Sequence, residues 1–301
     1  MRVFVTGATG FVGSAIVNEL LQAGHQVLGL TRSEEGAKQL KAAGADVHYG
    51  NLEDLESLKQ GASLADGVIH TAFNHDFTRF AASCEHDRHV IAALGSALEG
   101  TNRPMLITSG TALVATPGRA ATEADDPTLT AAQFPRIATQ EAAVALMEKG
   151  LNVSMVRLPP STHGQGDHGF IPMLIAIARD KGMAAYAGEG NNLWPAVHRL
   201  DAARLYRLAI EKAIPGTRYH AVQDEGVPMR QIAEVIGKRL QVPVKSLTPE
   251  AAKGHFGWFN HFASLDAPAT ALITMEKLGW KPTQISLLED IDLYYFGNKN
   301  N

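Results

Sequence analysis

The chain has 301 residues, of which 45% are hydrophobic, and its formal net charge is −4. This composition supports a sizeable core and argues against disorder, and the length favours one large domain with a smaller one. Basic residues form no stripe of the kind that nucleic-acid binders carry, and the single cysteine, Cys84, excludes a disulfide framework and a cysteine-rich zinc site. With no signal-peptide pattern and no membrane-spanning apolar run, we expect a cytoplasmic protein without nucleic-acid or membrane partners.

The first half of the chain alternates strand-like and helical patterns. Short strands separated by helices predict βαβ units and a doubly wound parallel sheet of the Rossmann type. Helices are predicted at His89–Leu98 and Glu141–Lys149, and Thr111–Thr130, rich in Gly, Pro, Thr and Ala, is predicted to be a loop insertion. The predicted strands are Arg2–Val5, Gln26–Leu30, Asp46–Tyr49, Gly67–His70, Met105–Thr108 and Val153–Leu158.

After Pro159 the pattern loosens into loops and helices, which predicts a smaller C-terminal α/β domain that binds substrate. We expect the Rossmann domain to cover residues 1–157 with a returning segment near 198–222, and the smaller domain to cover residues 158–197 and 223–301. Helices are predicted in this half at Pro172–Arg179, Ala202–Lys212, Met229–Arg239 and Leu287–Tyr295.

The first strand runs into a glycine-rich turn that opens an amphipathic helix. Its spacing is Gly-x-x-Gly-x-x-Gly: Gly7 suits a tight turn, Gly10 lets the backbone approach a pyrophosphate, and Gly13 lets helix and strand pack closely. The free N–H groups and partial positive charge of a helix N-terminus favour phosphate. The alternative is a plain strand–turn–helix with incidental glycines. We predict a nucleotide-cofactor site whose contacts come from Gly7, Thr9, Gly10, Phe11, Val12 and Gly13.

The end of the second strand bears on which cofactor binds. An NAD site usually places an acidic residue there for the ribose 2′-OH, but this strand ends in Thr31, Arg32 and Ser33. The Arg32 guanidinium suits a 2′-phosphate, and the two hydroxyls add donors. NADP is therefore favoured over NAD. In the alternative interpretation Arg32 is a solvated surface residue and Glu34 or Glu35 reaches the ribose.

These residues resemble the short-chain dehydrogenase/reductase superfamily, in its extended or atypical epimerase/dehydratase-like branch. The Thr6–Gly13 turn is similar to that branch's glycine motif, and Trp194–Asp201 and Leu278–Pro282 are similar to its V-H-V-D-D and L-G-W-x-P segments. The resemblance implies further cofactor contacts. They come from a segment near the adenine, from the end of the fourth strand and from the turn bordering the nicotinamide: Asn51, Leu52, Thr71, Ala72, Phe73 and Pro159.

The chain departs from this family where the chemistry is expected. The superfamily normally uses a Ser and a Tyr-x-x-x-Lys pair, yet the interval from Thr111 to Leu151 contains no tyrosine. Alignment places Gln133 and Ile137 at the Tyr and Lys positions, and neither side chain transfers a proton. A Tyr-x-x-x-Lys at Tyr295–Lys299 lies far from the expected place, so we interpret it as chance.

Two further positions have alternative interpretations. Ser109 or Thr111, at the end of the fifth strand where the family has its Ser, would hold a substrate carbonyl, or both would only cap the strand. Asp87 stands where this branch usually has an Asn that supports a proton-relay water. It would order such a water, or would simply pair with Arg88 or Arg136.

Histidine is the remaining candidate proton donor, because its unperturbed pKa near 6.5 suits acid–base work. His70, His163 and His198 all fall near strand ends or the domain crevice, and we favour His163, which follows the Pro-Pro turn. A metal site formed by His163, Asp167 and His168 matches no strong pattern, so the Gly-rich loop after His163 is predicted to be a substrate lid.

The predicted function is an NADP-dependent oxidoreductase or epimerase/dehydratase-like enzyme. Hydride would pass between the nicotinamide and a carbonyl or alcohol carbon of a small hydrophobic or sugar-type substrate, in a pocket lined in part by aromatic side chains. The alternative is a catalytically silent NADP(H)-binding redox sensor or scaffold. A homodimer is possible in either case. The expected aromatic lining is Phe73, Phe170, Trp194 and Phe256.

Overall fold

The computed structural model describes residues 1–296 and contains three β-sheets and helices on both faces of the largest sheet. The strands are β1 Arg2–Thr6, β2 Gln26–Thr31, β3 Asp46–Tyr49, β4 Gly67–His70, β5 Met105–Gly110, β6 Val153–Leu158, β7 Ser161–His163, β8 Ala184–Ala187, β9 Leu193–His198, β10 Arg218–His220, β11 Asp224–Pro228 and β12 Val244–Leu247.

Helices follow most of the strands. The α-helices are α1 Phe11–Gln22, α2 Glu34–Ala43, α3 Leu55–Ser63, α4 Phe80–Ser96, α5 Ala138–Glu148, α6 Phe170–Lys181, α7 Arg199–Lys212, α8 Met229–Leu240, α9 Pro249–Phe256, α10 Asn260–Ala263, α11 Leu272–Leu278 and α12 Leu287–Tyr294. Single 3₁₀ turns occur at Phe77–Arg79, Thr111–Val114, Pro135–Ile137 and Gly257–Phe259.

The large sheet is parallel throughout and has the order β3-β2-β1-β4-β5-β6-β10. This confirms the predicted Rossmann-type fold. The strand order reverses between β1 and β4, so their carboxyl ends open a crevice at the edge where ligands bind in such sheets. β1 and β4 are almost wholly buried, as central strands covered on both faces must be.

Two helix layers cover the large sheet. On one face α1 packs against α7, and Ile16, Leu20 and Leu205 are buried there together with Val3 and Val5 of β1. On the other face α3, α4 and α5 bury a second apolar cluster against the same strands. The crevice therefore opens at the edge of a rigid, doubly covered sheet, which fixes the positions of the side chains at its rim.

The smaller sheets lie beyond β6. β7, β9 and β11 form a three-stranded sheet, and β8 pairs with β12. A separate core packs around Trp194, Phe259 and Ile232, all almost fully buried. β10, which lies in the segment predicted to return to the Rossmann domain, is the seventh strand of the large sheet.

The C-terminal segment is fastened to the start of α7. The indole Nε1 of Trp280 donates to the carbonyl of Asp201 at 2.9 Å, and the Asp201 carboxylate accepts the backbone N–H groups of Thr283 and Gln284. The two segments that carry the C-terminal part of the family resemblance are thus in contact. Their contact holds the C-terminal segment on the helix that leads out of β9.

The predicted elements differ from the structure mainly at their ends. The helix predicted at His89–Leu98 begins at Phe80, and the loop predicted over Thr111–Thr130 starts with a 3₁₀ turn. In the second half the strands β7 to β12 were not predicted, because they are short and their pairing partners are distant in sequence. Lys299 of the chance Tyr-x-x-x-Lys match lies outside the described residues. Among residues 1–296, no helix has both the length and the apolar character needed to span a bilayer.

Candidate functional site

Two positions of the glycine turn between β1 and α1, Gly7 and Gly13, have no room for a side chain. Gly7 has φ +69°, and a Cβ there would lie 2.8 Å from the backbone nitrogen of Ala72. A Cβ at Gly13 would lie 2.0 Å from the Gly7 carbonyl oxygen. Both glycines are therefore required by close backbone approach: Gly7 to the segment after β4 and Gly13 to the turn itself.

Gly10 faces open space at the start of α1. It is the N-cap residue, no side chain caps the helix, and a Cβ at Gly10 would meet only the Gly7 carbonyl oxygen, at 3.2 Å. The first-turn N–H groups of α1, from Phe11 to Gly13, are thus left for an anion. Thr9 and Val12 are half-buried beside this opening. The cradle fits a cofactor diphosphate.

The end of β2 presents one cation beside the cradle. Arg32 is exposed and forms no ion pair with the other residues of the described range, whereas Thr31 is buried and the Ser33 hydroxyl caps α2 by accepting the Gly36 N–H at 3.1 Å. Glu34 accepts a hydrogen bond from the Tyr49 hydroxyl at 3.2 Å. Of the predicted 2′-phosphate ligands, Arg32 is the one whose side chain is left available.

The remaining predicted cofactor contacts surround the cradle. The Thr71 hydroxyl donates to the Thr6 carbonyl at 2.8 Å, which fixes the segment after β4 against the glycine turn. Asn51 closes a turn by accepting the N–H groups of Glu53 and Asp54, so its side chain is already engaged. Leu52 is half-buried against the core below α3 and α4, and Pro159 is buried just after β6.

A buried polar chain runs beneath the crevice from β1 to α5. His70 joins the Thr6 hydroxyl at 2.7 Å through Nδ1 and Asp87 at 3.0 Å through Nε2. The other oxygen of Asp87 accepts from Arg136 at 3.1 Å and from the Thr139 hydroxyl. The structure therefore shows the alternative interpretation of Asp87, an ion pair with Arg136, and makes His70 a structural hydrogen bonder.

The charge of Asp87 is stabilised although its side chain is 3% exposed. Burial alone would raise the pKa of this carboxyl, but the hydrogen bond and charge of His70, followed by the charge of Arg136 and the bond from Thr139, hold the pKa below its ordinary value. Arg88, the other proposed partner, pairs instead with Glu85 and Glu141. Asp87 thus anchors Arg136 at the crevice.

Arg136 lies against the aromatic segment that follows β4. Its guanidinium carbon is 4.0 Å from the ring centroid of Phe73, a cation–π distance, and the Phe73 ring is 5.1 Å from that of His75. Desolvation by neighbouring groups, then the charges of Arg136 and His168, lower the pKa of His75 although the residue is exposed. The sequence analysis did not select His75, because no motif marks it.

Two hydroxyls stand at the end of β5 without partners. Ser109 is 6% exposed and Thr111 is fully buried, and neither side-chain oxygen has a hydrogen-bond partner among the described residues. Buried hydroxyls are normally bonded, so an unpaired one at a crevice indicates a place for a ligand group. The residual exposure of Ser109 makes it the better placed of the two.

The positions aligned with the family's Tyr and Lys carry no acid–base group. Gln133 accepts the backbone N–H of Thr130 at 3.0 Å, and Ile137 is buried at the start of α5. Between them, Arg136 supplies the cation of this region. Arg136 is the functional residue that the sequence analysis mentioned only as a partner of Asp87.

His163 lies at the end of β7, in contact with α12 and with His198. It is fully buried, its Nδ1 is 2.7 Å from Asp290 of α12, and its ring packs edge-on against His198 at 5.4 Å. His198 caps α7 by accepting the Leu200 N–H at 3.3 Å. Both histidines are thus engaged by neighbouring groups of the fold, while the Nε2 of His163 has no hydrogen-bond partner among the described residues.

The Gly-rich loop after β7 covers the start of α1. Phe11 lies between the guanidinium of Arg199, at 4.8 Å, and the ring of His168, at 5.9 Å. Asp167 accepts from the Tyr295 hydroxyl at 2.5 Å instead of turning toward His168. Within residues 1–296, no group of three or more His, Cys, Asp or Glu side chains is arranged to hold a metal ion.

Only part of the predicted aromatic lining has accessible surface. Trp194 is fully buried and Phe256 is 5% exposed, and both belong to the core of the smaller domain, so these two predictions are wrong. Phe73 and Phe170 are half-buried at the crevice side. The amphipathic pattern of the sequence does not distinguish a buried aromatic from one that lines a pocket.

A sequence profile of the NAD dependent epimerase/dehydratase family matches residues 3–222. The chain belongs to this family. The match spans β1 through the return of the chain after β10, so it covers the whole large sheet and the cradle described above. NAD(P) binding follows from family membership and from the cradle together.

Relatives agree in length with this chain. An uncharacterised protein of Schizosaccharomyces pombe is 49% identical over 98% of this chain and 100% of its own, and one of Saccharomyces cerevisiae is 45% identical over 98% and 99%. A Stigmatella aurantiaca protein, named 4-hydroxy-2-methyl-3-oxo-4-farnesyl-3,4-dihydroquinoline-1-oxide ketoreductase, is 27% identical over 90% of this chain and 85% of its own.

Solved structures share the fold at low identity. UDP-glucose 4-epimerase of Thermotoga maritima has a TM-score of 0.75 and 20% identity, covering 97% of both chains. The dTDP-glucose 4,6-dehydratase of Bacillus anthracis, in complex with NAD, has a TM-score of 0.77 and 16% identity, covering 99% of this chain and 97% of its own. These likenesses show that the chain shares the fold of these two enzymes.

Proposed function

We propose that this protein is an NADP-dependent oxidoreductase that transfers hydride between the nicotinamide and the carbonyl or alcohol carbon of a substrate held in the crevice. The observation that carries the proposal is the open glycine cradle beside the unpartnered, nearly buried Ser109 hydroxyl at the same edge of the sheet. Two similar proteins support it by name: the ketoreductase above and the 2-alkyl-3-oxoalkanoate reductase of Stenotrophomonas maltophilia, 28% identical over 77% of this chain.

The chain's own groups would hold the cofactor by its charged parts. The first-turn N–H groups of α1 would bind the diphosphate, and the exposed Arg32 would bind the 2′-phosphate through its planar fork. Thr71 and Phe73 would line the path from the cradle to the nicotinamide, because the Thr71 hydroxyl is hydrogen-bonded to the residue that precedes the glycine turn. This assignment favours NADP, while Glu34 keeps its hydrogen bond to Tyr49.

On the substrate side, Ser109 would donate a hydrogen bond to the carbonyl oxygen. Arg136, held by Asp87 and by the Phe73 ring, would stabilise the negative charge that grows on this oxygen. When bound, the cofactor supplies the hydride for the carbonyl carbon. We assign the proton for the oxygen to His75, the exposed histidine next to Phe73, in place of the buried His163.

Two measurements on the same protein test this function. Calorimetry gives the affinity for NADPH, and NADPH absorbance over a panel of carbonyl compounds reports turnover. We expect micromolar-range binding and measurable oxidation of NADPH, with turnover reduced in Ser109→Ala while NADPH affinity is retained. The matched control is Ser96→Ala, on the far end of α4, which should alter neither quantity.

The alternative is a silent NADP(H)-binding sensor or scaffold. It is favoured by Gln133 and Ile137, which place no acid–base group at the positions aligned with the family's Tyr and Lys, just before α5. Tight NADPH binding without turnover of any carbonyl in the panel would support this alternative. An absence of NADPH binding would contradict both.

A further inference from the structure

The smaller domain presents a set of aromatic rings at the start of α6 and around α10. We call Phe170, Phe259, Phe262 and Trp258 the aromatic wall. The Phe170 ring centroid is 4.6 Å from that of Phe262 and 5.2 Å from that of Phe259, and Trp258 is 5.6 Å from Phe259. Phe259 is buried, Phe170 and Phe262 are half-buried, and Trp258 is 62% exposed. The exposed surface of this cluster is thus mainly that of Trp258, with smaller contributions from Phe170 and Phe262, and exposed apolar surface marks a ligand groove or an interface where it is extensive.

The aromatic wall begins beside the cofactor cradle. Phe170 follows His168 by two residues, and the His168 ring is 5.9 Å from that of Phe11 at the start of α1. Since consecutive Cα atoms are about 3.8 Å apart, the Cα of Phe170 lies within about 8 Å of that of His168. A molecule placed at the cradle's open side therefore meets this wall.

The large domain presents aromatic rings of its own to the same crevice. Phe80 is 6.4 Å from both Phe73 and Phe134. His75 is next to Phe73, and the charge of His168 acts on His75, which brings the segment after β4 and the loop after β7 into one neighbourhood. Aromatic surfaces of both domains thus flank the crevice.

Two arginines near the crevice, Arg136 and Arg199, are already engaged by other groups of the protein. Arg136 pairs with Asp87 and lies over Phe73, and Arg199 lies over Phe11 and donates to the Gln165 carbonyl at 2.8 Å. A sugar nucleotide carries phosphates, which are recognised by free arginine forks or helix N-termini. The wall offers ring faces, which suit apolar rings and alkyl chains.

We propose that the substrate's non-reacting part is an aromatic ring or an alkyl chain that packs on the aromatic wall, with its carbonyl directed to Ser109. This inference rests on the proposed function and narrows its substrate to apolar carbonyl compounds, excluding sugar nucleotides. Phe170 and Phe262 provide the packing surface, and Trp258 forms its outer edge. The aromatic wall would contribute to the binding of the substrate and not to the chemical step, because none of its side chains carries a group that transfers a proton.

The test uses the fluorescence of Trp258 in the NADPH-loaded protein. Trp194 and Trp280 are fully buried, so the emission that responds to a ligand in the crevice comes mainly from Trp258. The probes are 4-phenyl-2-butanone and 2-butanone, which share the carbonyl group and differ by one phenyl ring, with UDP-glucose as a third probe. We expect the phenyl ketone to change the emission with a Kd at least about tenfold lower than that of 2-butanone.

Variants assign the effect to the wall. Phe262→Ala should remove most of the preference for the phenyl ketone while NADPH affinity and the circular dichroism spectrum are retained, and Leu272→Ala, at another exposed apolar site, should leave it intact. In Trp258→Phe the ligand-dependent change in fluorescence should vanish. Competition assays should still show that the phenyl ketone binds more tightly than 2-butanone.

The outcomes separate this inference from the proposed function. Equal affinity for the two ketones, or tighter binding of UDP-glucose, overturns the inference even if NADPH is oxidised. Selective binding of the phenyl ketone without any oxidation of NADPH supports the inference and contradicts the proposed oxidoreductase activity.

Discussion

We expect Arg32 to favour NADPH over NADH in the proposed site. Its side chain is exposed at the end of β2, whereas Ser33 is committed to capping α2 and Glu34 to Tyr49. Arg32→Ala should weaken NADPH binding by about tenfold, because a partly exposed charged contact contributes roughly 1–3 kcal/mol, and should leave NADH binding nearly unchanged. Calorimetry with both cofactors measures this. Arg2→Ala is the control, because Arg2 lies at the start of β1, at the opposite end of the strand from the cradle. Equal NADPH and NADH affinities in the parent would contradict the assignment.

Gly10 is the cradle residue that a substitution tests most cleanly. A Cβ there would lie 3.2 Å from the Gly7 carbonyl oxygen, so the turn must shift by a few tenths of an ångström to admit a side chain, and a valine would also obstruct the approach of the diphosphate. The circular dichroism spectrum of the variant checks that the fold is retained. Gly10→Val should reduce NADPH affinity by about 100-fold or more, the scale of losing several charged hydrogen bonds. Gly254→Val, in α9 with no atom within 4 Å of its Cβ position, is the matched control. Parental affinity in Gly10→Val would mean that the diphosphate binds elsewhere.

His75 and His163 should respond differently to the same substitution. His75→Gln should lower kcat by about 100-fold, the lower end of the effect of losing a general acid. The pKa of His75 is lowered by desolvation and Arg136, so in the parent kcat should fall as pH rises through a value below about 6.5, and the variant should lose this dependence. His89→Gln, exposed on α4, is the control.

His163→Gln should act on stability. Weakening the buried bond to Asp290 should cost about 1.5–3 kcal/mol of unfolding free energy and leave kcat of the folded protein unchanged. Urea unfolding followed by circular dichroism measures it. A loss of kcat without a loss of stability would restore His163 as the proton donor expected from the sequence.

At the scale of elements, Asp87 of α4 is joined to the 3₁₀ turn before α5 by its ion pair with Arg136, and to α5 by the hydrogen bond from Thr139. The pKa of Asp87 is lowered in the folded protein, so this carboxylate contributes stability that is present above its unfolded pKa, near 4, and is lost as pH falls through its folded value. Asp87→Asn should cost about 3–5 kcal/mol at neutral pH, because Arg136 and His70 lose a buried charged partner.

Thermal unfolding between pH 7 and pH 3 tests this pair. The difference in Tm between the parent and Asp87→Asn should be largest at neutral pH and should shrink below about pH 4. Glu85→Gln, exposed on the same helix, should change Tm little at any pH. A difference that stays constant across the range would show that the carboxylate is not charged in the folded protein.

The large sheet could be predicted from the sequence because its signals are local. Most of its first six strands are short, largely apolar runs beside a turn, and β3, β4 and β6 have the predicted limits. The role of His163 could not be predicted, since its partner Asp290 is 127 residues away. The fact that a residue follows a strand in the sequence does not show whether its side chain faces the crevice or the next helix.

At the scale of the whole molecule, the candidate site is formed by two domains. The cradle, Arg32 and the Ser109 hydroxyl come from the large sheet, whereas the aromatic wall comes from the smaller domain. The sequence indicated the first group through motifs, but Phe262 and Trp258 lie in a segment without one. Trp194 and Phe256 were selected instead, because composition alone does not separate core aromatics from exposed ones.

The most direct test of the account is transfer of a labelled hydride. The protein is incubated with NADPH deuterated at C4 of the nicotinamide, in both stereochemical forms, and with 4-phenyl-2-butanone, and the alcohol product is analysed by mass spectrometry. We expect one of the two labelled cofactors to place deuterium on the carbinol carbon, and Ser109→Ala to slow this transfer. Bound NADPH that delivers deuterium to no carbonyl compound in the panel would contradict the oxidoreductase and leave a protein that only binds the cofactor.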